Sequence, residues 1–294
     1  MAPHPERVTV TEHHDVYPGI DLKTRLKDAA KGKIIYITGA SRGIGEATVH
    51  AFAEAGASGL FVTARSADAL TAVAESARRI APSIVVEACT VDATDEQAVS
   101  QSVRKCIEKF GRIDVVIANA GYLEKRARTG EIDPREWWKT MDISLRGTFN
   151  VIHHSINHLV ATKGYAIMLS SVAAQHRSRG ASAYQTSKHA INRLAEFVDV
   201  EYGSQGVKVF AVHPGNIATA LASNEPAIAA YLIDKIEIAS HTMVRLTSGS
   251  ENWLSGRYIS CNWDLDELAK RRKEIEGGDL LKNRLDIGSL AGPL

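Results

Sequence analysis

The fold class this sequence predicts is a single α/β domain, a doubly wound parallel sheet of about seven strands with helices on both faces. Three observations predict it. From residue 33 to about 263, short β-branched and apolar runs alternate with longer amphipathic segments. The runs are nearly continuously apolar, as strands covered on both faces are. The first run passes directly into a glycine-rich turn that opens a helix.

In chain order, Ile34-Ile35-Tyr36-Ile37 is the first strand, and Glu46 to Ala55 is a helix of good helix formers. Leu60-Phe61-Val62 is the second strand, followed by a helix over Ala67 to Ile80. Ile84-Val85-Val86, Val115-Val116-Ile117, Ala166-Ile167-Met168-Leu169 and Val207 to Val212 supply four more, and Ile259 lies near a seventh. Alternation of strand and helix with short turns makes the sheet parallel and its crossovers right-handed. Residues 1–32 are polar, with a turn at Tyr17-Pro18-Gly19, and form an N-terminal extension to the 33–263 domain. Residues 264–294 form a C-terminal extension: a charged helical segment from Asp264 to Glu276, then Gly277-Gly278 and an irregular tail.

Composition narrows the function. A net charge of +1 with scattered Lys and Arg offers neither a nucleic-acid footprint nor a polybasic membrane patch. Cys89, Cys106 and Cys261 are too far apart for a zinc spacing or a disulfide framework. No run reaches the roughly 18 apolar residues of a membrane span, and the polar start has no signal-peptide core. A cytoplasmic protein without metal, membrane or nucleic-acid partner is expected.

Thr38-Gly39-Ala40-Ser41-Arg42-Gly43-Ile44-Gly45 lies where the first strand ends and the first helix begins. Its glycines permit a sharp turn and let backbone N–H groups approach a pyrophosphate, which the helix N-terminus attracts. The end of the second strand is where an NAD enzyme carries a carboxylate for the ribose hydroxyls. Here that position is Ala64, followed by Arg65 and Ser66. Arg42 and Arg65 together suit a 2′-phosphate, held by charge-assisted hydrogen bonds, so NADP(H) is the expected cofactor. Tyr184 and Lys188, four apart, share one helix face, where the ammonium favours the phenolate and the tyrosine can give or take a proton. Spacing alone is weak, because Tyr231 and Lys235 match it equally.

The octet resembles the TGxxxGIG cofactor motif of the short-chain dehydrogenase/reductase family, Tyr184-x-x-x-Lys188 resembles its YxxxK, and the likeness runs to about residue 260. The resemblance implies a Rossmann-like fold in which Gly39, Ser41, Arg42, Gly43, Ile44 and Gly45 hold the cofactor and Asp92 contacts the adenine. Ala118-Asn119-Ala120-Gly121 is similar to the family's NNAG, with Ala118 replacing its first Asn. Pro214-Gly215-Asn216-Ile217-Ala218-Thr219 is similar to PGxxxT, which places Pro214, Gly215, Ile217 and Thr219 near the nicotinamide and the pyrophosphate. The family's serine-to-tyrosine interval selects Tyr184: Ser171 lies thirteen residues upstream of it, whereas Tyr231 has Ala218 there. Tyr231 and Lys235 then read as an exposed helix pair or a lid element.

By the same resemblance Ser171 orients the substrate oxygen, Tyr184 is the acid/base, and Lys188 activates it and holds the nicotinamide ribose. The family's relay Asn falls on Ser144, in Ser144-Leu145-Arg146-Gly147, whose hydroxyl holds a water with shorter reach. Transfer of the pro-S hydride, no metal, and a homodimer or homotetramer packed through two long helices are also implied. Ser170 reads as a structural neighbour, His154 and His158 as packing or surface groups, Trp137-Trp138 as anchors of the following helix, and His176 and Arg179 as substrate-side candidates. The Tyr17-Pro18 segment and the Gly256-Arg257-Tyr258…Trp263-Asp264 run resemble those of a fungal subgroup with extended ends, which implies a secondary-metabolite or detoxifying reductase. The expected function is NADP(H)-dependent interconversion of a carbonyl and an alcohol on a small molecule. The alternatives are an NADP-binding regulatory or scaffolding protein with little turnover, and an NAD-dependent alcohol dehydrogenase.

Overall fold

The computed structural model describes residues 8–222 and 226–285. Strands β1 (Ile34–Thr38), β2 (Gly59–Ala64), β3 (Val85–Thr90), β4 (Val115–Ala118), β5 (Tyr165–Leu169), β6 (Lys208–His213) and β7 (Arg257–Ser260) pair in parallel. Their spatial order is β3-β2-β1-β4-β5-β6-β7. The chain reverses direction across the sheet between β1 and β4, and such a switch point opens a crevice at the carboxyl ends of the strands.

Helices α1 (Gly43–Glu54), α2 (Ala67–Ile80) and α7 (Ile236–Leu246) line one face of the sheet. The other face carries α3 (Glu96–Phe110), α5 (Gly147–Thr162) and α6 (Ser182–Tyr202), with α4 (Pro134–Met141) against α6. Alternate residues of one strand serve opposite faces. Ile35 and Ile37 belong to the core under α1 and α7, Ile34 and Tyr36 to the core under α3 and α5.

Two expectations are corrected. The third strand is not covered on both faces: β3 is a sheet edge, and in it only Val86 is buried while Val85 is exposed. With no strand beyond it, its polar Glu87 and Thr90 meet solvent. The charged segment from Asp264 to Glu276 is two short helices, α8 (Leu265–Lys270) and α9 (Arg272–Gly277), broken at Arg271. Asp264 caps the first of them by accepting from the N–H groups of Asp266 and Glu267.

The described terminal segments pack into the domain. Tyr17, Ile20, Leu22, Leu26 and Ala30 are buried in the same core as α1 and α7. Arg245 of α7 is 2 % exposed and gathers three partners. It donates to Glu251 Oε1 (2.9 Å), to the Gly19 carbonyl (3.0 Å) and to Asp266 Oδ1 (2.7 Å). One guanidinium therefore joins the N-terminal segment, the α7–β7 connection and α8. No helix among the described residues is long and apolar enough to cross a membrane.

Candidate active site

The glycine turn leaves β1 with left-handed backbone at Gly39 (φ 62°) and Gly43 (φ 57°), a conformation that favours glycine. At Gly45 a Cβ would run into the Gly39 carbonyl, so the turn closes on itself there. At Gly43 a Cβ would meet only the Thr219 side chain, at 3.6 Å, so this face of the turn looks across the crevice to the Pro214–Thr219 segment. Asn119 does structural work. Its Nδ2 donates to the Thr38 and Gly39 carbonyls (2.9 and 3.1 Å), while the N–H groups of Asn119 and Ala120 donate to Thr38 Oγ1 (3.0 and 3.1 Å). The ends of β1 and β4 are thereby locked together beside the turn. Asp234 holds the Pro214–Thr219 segment: its Oδ2 accepts from Asn216 N–H at 2.5 Å, its backbone bridges Ile217, and His14 pairs with its Oδ1 at 2.5 Å.

Ser66 caps α2, accepting from Ala69 N–H at 3.5 Å. Arg65 precedes that cap and Arg42 precedes α1; both are exposed, and neither makes an ion pair among the described residues. Desolvation pushes the Asp92 carboxyl up, but hydrogen bonds from the Thr94 N–H and hydroxyl and the charge of Arg65 outweigh it, leaving it below the ordinary carboxylate range. A dinucleotide fits these residues: backbone N–H groups and a side-chain-free face at the turn, with the Arg42 guanidinium in the turn itself and that of Arg65 past the end of the next strand, neither in an ion pair among the described residues.

On the chemical side, α6 carries Tyr184 and Lys188 on one face, with Lys188 Nζ 5.5 Å from the Tyr184 ring centre. Ser171 lies just past β5, beside the Tyr184 side chain, and its hydroxyl also accepts from Ala173 N–H at 3.1 Å. Burial pushes the Tyr184 hydroxyl up to about 12, with the Ser171 hydrogen bond opposing the rise and the charge of Glu124 adding to it. Burial pushes Lys188 down to about 8. Its ammonium donates to the Leu169 carbonyl at 2.7 Å. Ser170 sits beneath, donating to Asn192 Oδ1 (2.5 Å) and the Lys188 carbonyl (3.3 Å), a structural link between β5 and α6.

Ser144 lies in a single π turn, Asp142–Arg146, between α4 and α5. Such turns re-aim a side chain out of the helical register and recur at functional sites. Its buried hydroxyl donates to the Tyr122 carbonyl and accepts from Tyr122 N–H, both at 3.3 Å. A Cβ on Gly121 would lie 3.7 Å from Lys188 Nζ and 3.9 Å from Ser144 Oγ, so both polar groups face the space that glycine leaves open. Gly121, Ser144, Ser171, Tyr184 and Lys188 thus converge at the carboxyl ends of β4 and β5.

Other expectations fall elsewhere. Tyr231 and Lys235 are not helix partners: Tyr231 ends a 3-10 turn (Pro226–Tyr231) and is 67 % exposed, while Lys235 precedes α7. Proline at the start of that turn and the break before α7 separate them; neighbouring residues 223–225 lie outside the described residues. Trp137 reaches α6 rather than the next helix, its Nε1 donating to Ser182 Oγ at 3.1 Å. His154 pairs with Glu96 at 2.5 Å, and no group of three or more metal-ligating side chains gathers among the described residues. His176 is half-buried and Arg179 exposed in the β5–α6 connection.

One group at the site escaped the sequence reading. Glu124 is 3 % exposed, and its Oε1 accepts from the Tyr184 backbone N–H at 3.0 Å while its Oε2 accepts from Thr140 Oγ1 at 3.1 Å. Its only signal was an acidic residue heading the basic run Lys125, Arg126 and Arg128. Nothing in that pattern shows which residue turns inward.

This chain belongs to the short-chain dehydrogenase/reductase family: residues 33–228 match the short chain dehydrogenase family, and the sheet order and the glycine turn agree with it. The family makes it an oxidoreductase that uses a nicotinamide cofactor. Within the family it falls in a fungal subgroup. It is 42 % identical over 278 residues to the short chain dehydrogenase citE of Monascus ruber, covering 93 % of this chain and 94 % of that one. It is 39 % identical over 285 residues to pigC of the same species, covering 94 % and 92 %. Among solved structures, a short-chain type dehydrogenase/reductase from Mycobacterium marinum matches with a TM-score of 0.74 at 25 % identity, over 82 % of this chain and 97 % of that one. Carveol dehydrogenase from Mycobacterium avium in complex with NAD shares the fold, with a TM-score of 0.74 at 20 % identity over 79 % and 96 %.

Proposed function

We propose that this protein is an NADP(H)-dependent reductase that interconverts a ketone or aldehyde and the corresponding alcohol on a small molecule. The observation that carries the reading is the grouping of Ser171, Tyr184 and Lys188 at the carboxyl ends of β4 and β5, with Lys188 Nζ 5.5 Å from the Tyr184 ring centre. Ser171 holds the substrate oxygen against the Tyr184 hydroxyl. Tyr184, pushed up to about 12 by burial, is protonated at neutral pH and donates its proton to the carbonyl oxygen in reduction. In oxidation it takes the proton from the alcohol. The Lys188 ammonium favours the phenolate left behind and is placed to hold ribose hydroxyls. Ser144 and the Tyr122 carbonyl hold the water that returns the proton to Lys188. When bound, the nicotinamide supplies or accepts the hydride at the substrate carbon.

Gly39, Ser41, Gly43, Ile44 and Gly45 receive the pyrophosphate on backbone N–H groups. Pro214, Gly215, Ile217 and Thr219 close the nicotinamide end. Ala120 and Gly121 line the space between, Asp92 flanks the adenine, and Asn119 acts by holding the turn. The preference for a 2′-phosphate is supported by Arg42 and Arg65 standing without ion pairs and by Ala64 where a carboxylate would repel it. Assembly into a homodimer or homotetramer through α5 and α6 is supported by Phe149, Phe197 and Val200, exposed on those helices. The Monascus relatives, which align over 93 % and 94 % of this chain, support a role in secondary metabolism.

The test is NADPH oxidation against a panel of ketones and aldehydes, with Tyr184→Phe beside wild type. Wild type should turn over with at least one carbonyl. The variant, which keeps the ring and loses the proton, should lose activity by about 10²–10⁴-fold with NADPH affinity retained. Tight NADPH binding without turnover across the panel would favour the regulatory-protein reading.

A further inference from the structure

The first turn of a helix leaves N–H donors without an intrahelical partner, and an N-cap side chain ordinarily takes one of them. The N-cap of α6 is Ala181, whose side chain has nothing to offer. The Tyr184 N–H goes instead to Glu124, which comes from the β4–α4 connection. The other carboxylate oxygen accepts from Thr140, in the last turn of α4. One buried carboxylate therefore binds three segments: the one that follows Gly121, the one that leads into the Ser144 turn, and the one that carries Tyr184. A carboxylate at a helix N-terminus is also favoured by the helix dipole, which helps it tolerate burial.

We propose that Glu124 is the positioning residue of this site, capping α6 at the reacting tyrosine and setting one negative charge at the end of the helix that carries its phenol. The proposal rests on the acid/base role given to Tyr184 above. Its charge opposes that of Lys188, which sits one helical turn along from Tyr184. From β5 the site receives the neutral Ser171, and the β5–α6 connection adds His176, Arg177 and Arg179. The β4–α4 connection adds Lys125 and Arg126, while Tyr122, Glu136 and Lys139 form a hydrogen-bonded set of their own. Of the charged groups in these elements, Glu124 is the one that touches the tyrosine's own backbone. With its charge in place the phenol holds its proton more tightly, so the phenolate needed for alcohol oxidation forms only at higher pH.

Glu124→Gln and Glu124→Ala separate the cap from the charge. Gln keeps the shape and an amide oxygen for the Tyr184 N–H but carries no charge. The readouts are the kcat–pH profile for alcohol oxidation and the ultraviolet titration of the phenolate, taken as the difference between each protein and its Tyr184→Phe counterpart. In Glu124→Gln both should move to lower pH by roughly one unit, with the plateau kcat and NADPH affinity close to wild type. In Glu124→Ala the titration should move likewise, and the plateau should also fall by about ten- to a hundredfold as α6 loses its cap. If the phenolate in Glu124→Gln titrates with wild type, the charge has no such role and the proposal fails. It fails equally if both variants alter only thermal stability. Should Tyr184→Phe itself turn over normally, the proposed function falls first, and that outcome is distinct from either.

Discussion

Replacing Lys188 by Met should abolish turnover yet make the cofactor-free protein more stable at neutral pH. The Lys188 side chain is 4 % exposed, and burial alone lowers its affinity for a proton from the ordinary 10.5 to about 8. At about 1.4 kcal/mol per tenfold change in proton affinity, keeping the ammonium charged in the folded chain costs about 3 kcal/mol at pH 7. Met is similar in length and carries no charge. Its introduction loses the hydrogen bond to the Leu169 carbonyl, which is worth about 1 kcal/mol. The net gain is about 2 kcal/mol, or about 4–8 °C in Tm for a domain of this size. The pH dependence has a definite sign. Below pH 8 lysine is charged in both states and the penalty is complete. Between pH 8 and 10.5 the unfolded chain binds more protons than the folded one, so wild type gains stability as pH rises. The advantage of Met should therefore be largest near pH 7 and close to nothing by pH 10. Thermal and denaturant unfolding of both proteins without cofactor, at several pH values, measures it. A Lys188→Met protein no more stable than wild type at pH 7, or one whose advantage does not depend on pH, would refute the reasoning.

Three further outcomes are expected. Arg65→Ala should lower kcat/KM with NADPH by about ten- to a hundredfold and leave NADH use nearly unchanged, because one charge-assisted hydrogen-bonding group is lost; an unaltered cofactor ratio would remove the 2′-phosphate from this site. Ser144→Ala should lose part of kcat with KM little changed, and Ser144→Asn should be tolerated or improved; full activity in Ser144→Ala would leave this position without a relay. Tyr231→Phe should retain nearly all activity, since Tyr231 is exposed and shares no helix with Lys235, and collapse of turnover would move the acid/base to the lid.

The parts of the fold that were legible in the sequence are those set by local pattern. β1, β2, β4, β5 and β6 are apolar on both faces because helices cover both, and that leaves continuous runs such as Val115-Val116-Ile117. The exposure of β3 was not legible, because being last in the sheet is a property of pairing rather than of the strand's own residues. The proposed acid/base Tyr184 and its Lys188 share a spacing with a fixed helical geometry, while Ser171 is legible only through the family resemblance; the same spacing misleads at Tyr231 and Lys235 because proximity in sequence does not ensure one helix. Asn119 could be located but not understood. Its amide is spent on Thr38 and Gly39, contacts between residues about eighty positions apart. Glu124 was invisible for a related reason: a carboxylate becomes a helix cap only when another segment presents a bare N-terminus to it.

The Arg245 cluster bears on how this chain can be cut. The stretch matching the family ends at residue 228, before α7, β7 and the guanidinium itself, and its partners Gly19, Glu251 and Asp266 come from both sides of that limit. Removing the segment around Gly19 would take a carbonyl acceptor from a buried guanidinium, and removing α8 would take its half-exposed carboxylate, leaving Glu251 as its buried partner. The segment around Gly19 and helix α8 are therefore both tied to α7.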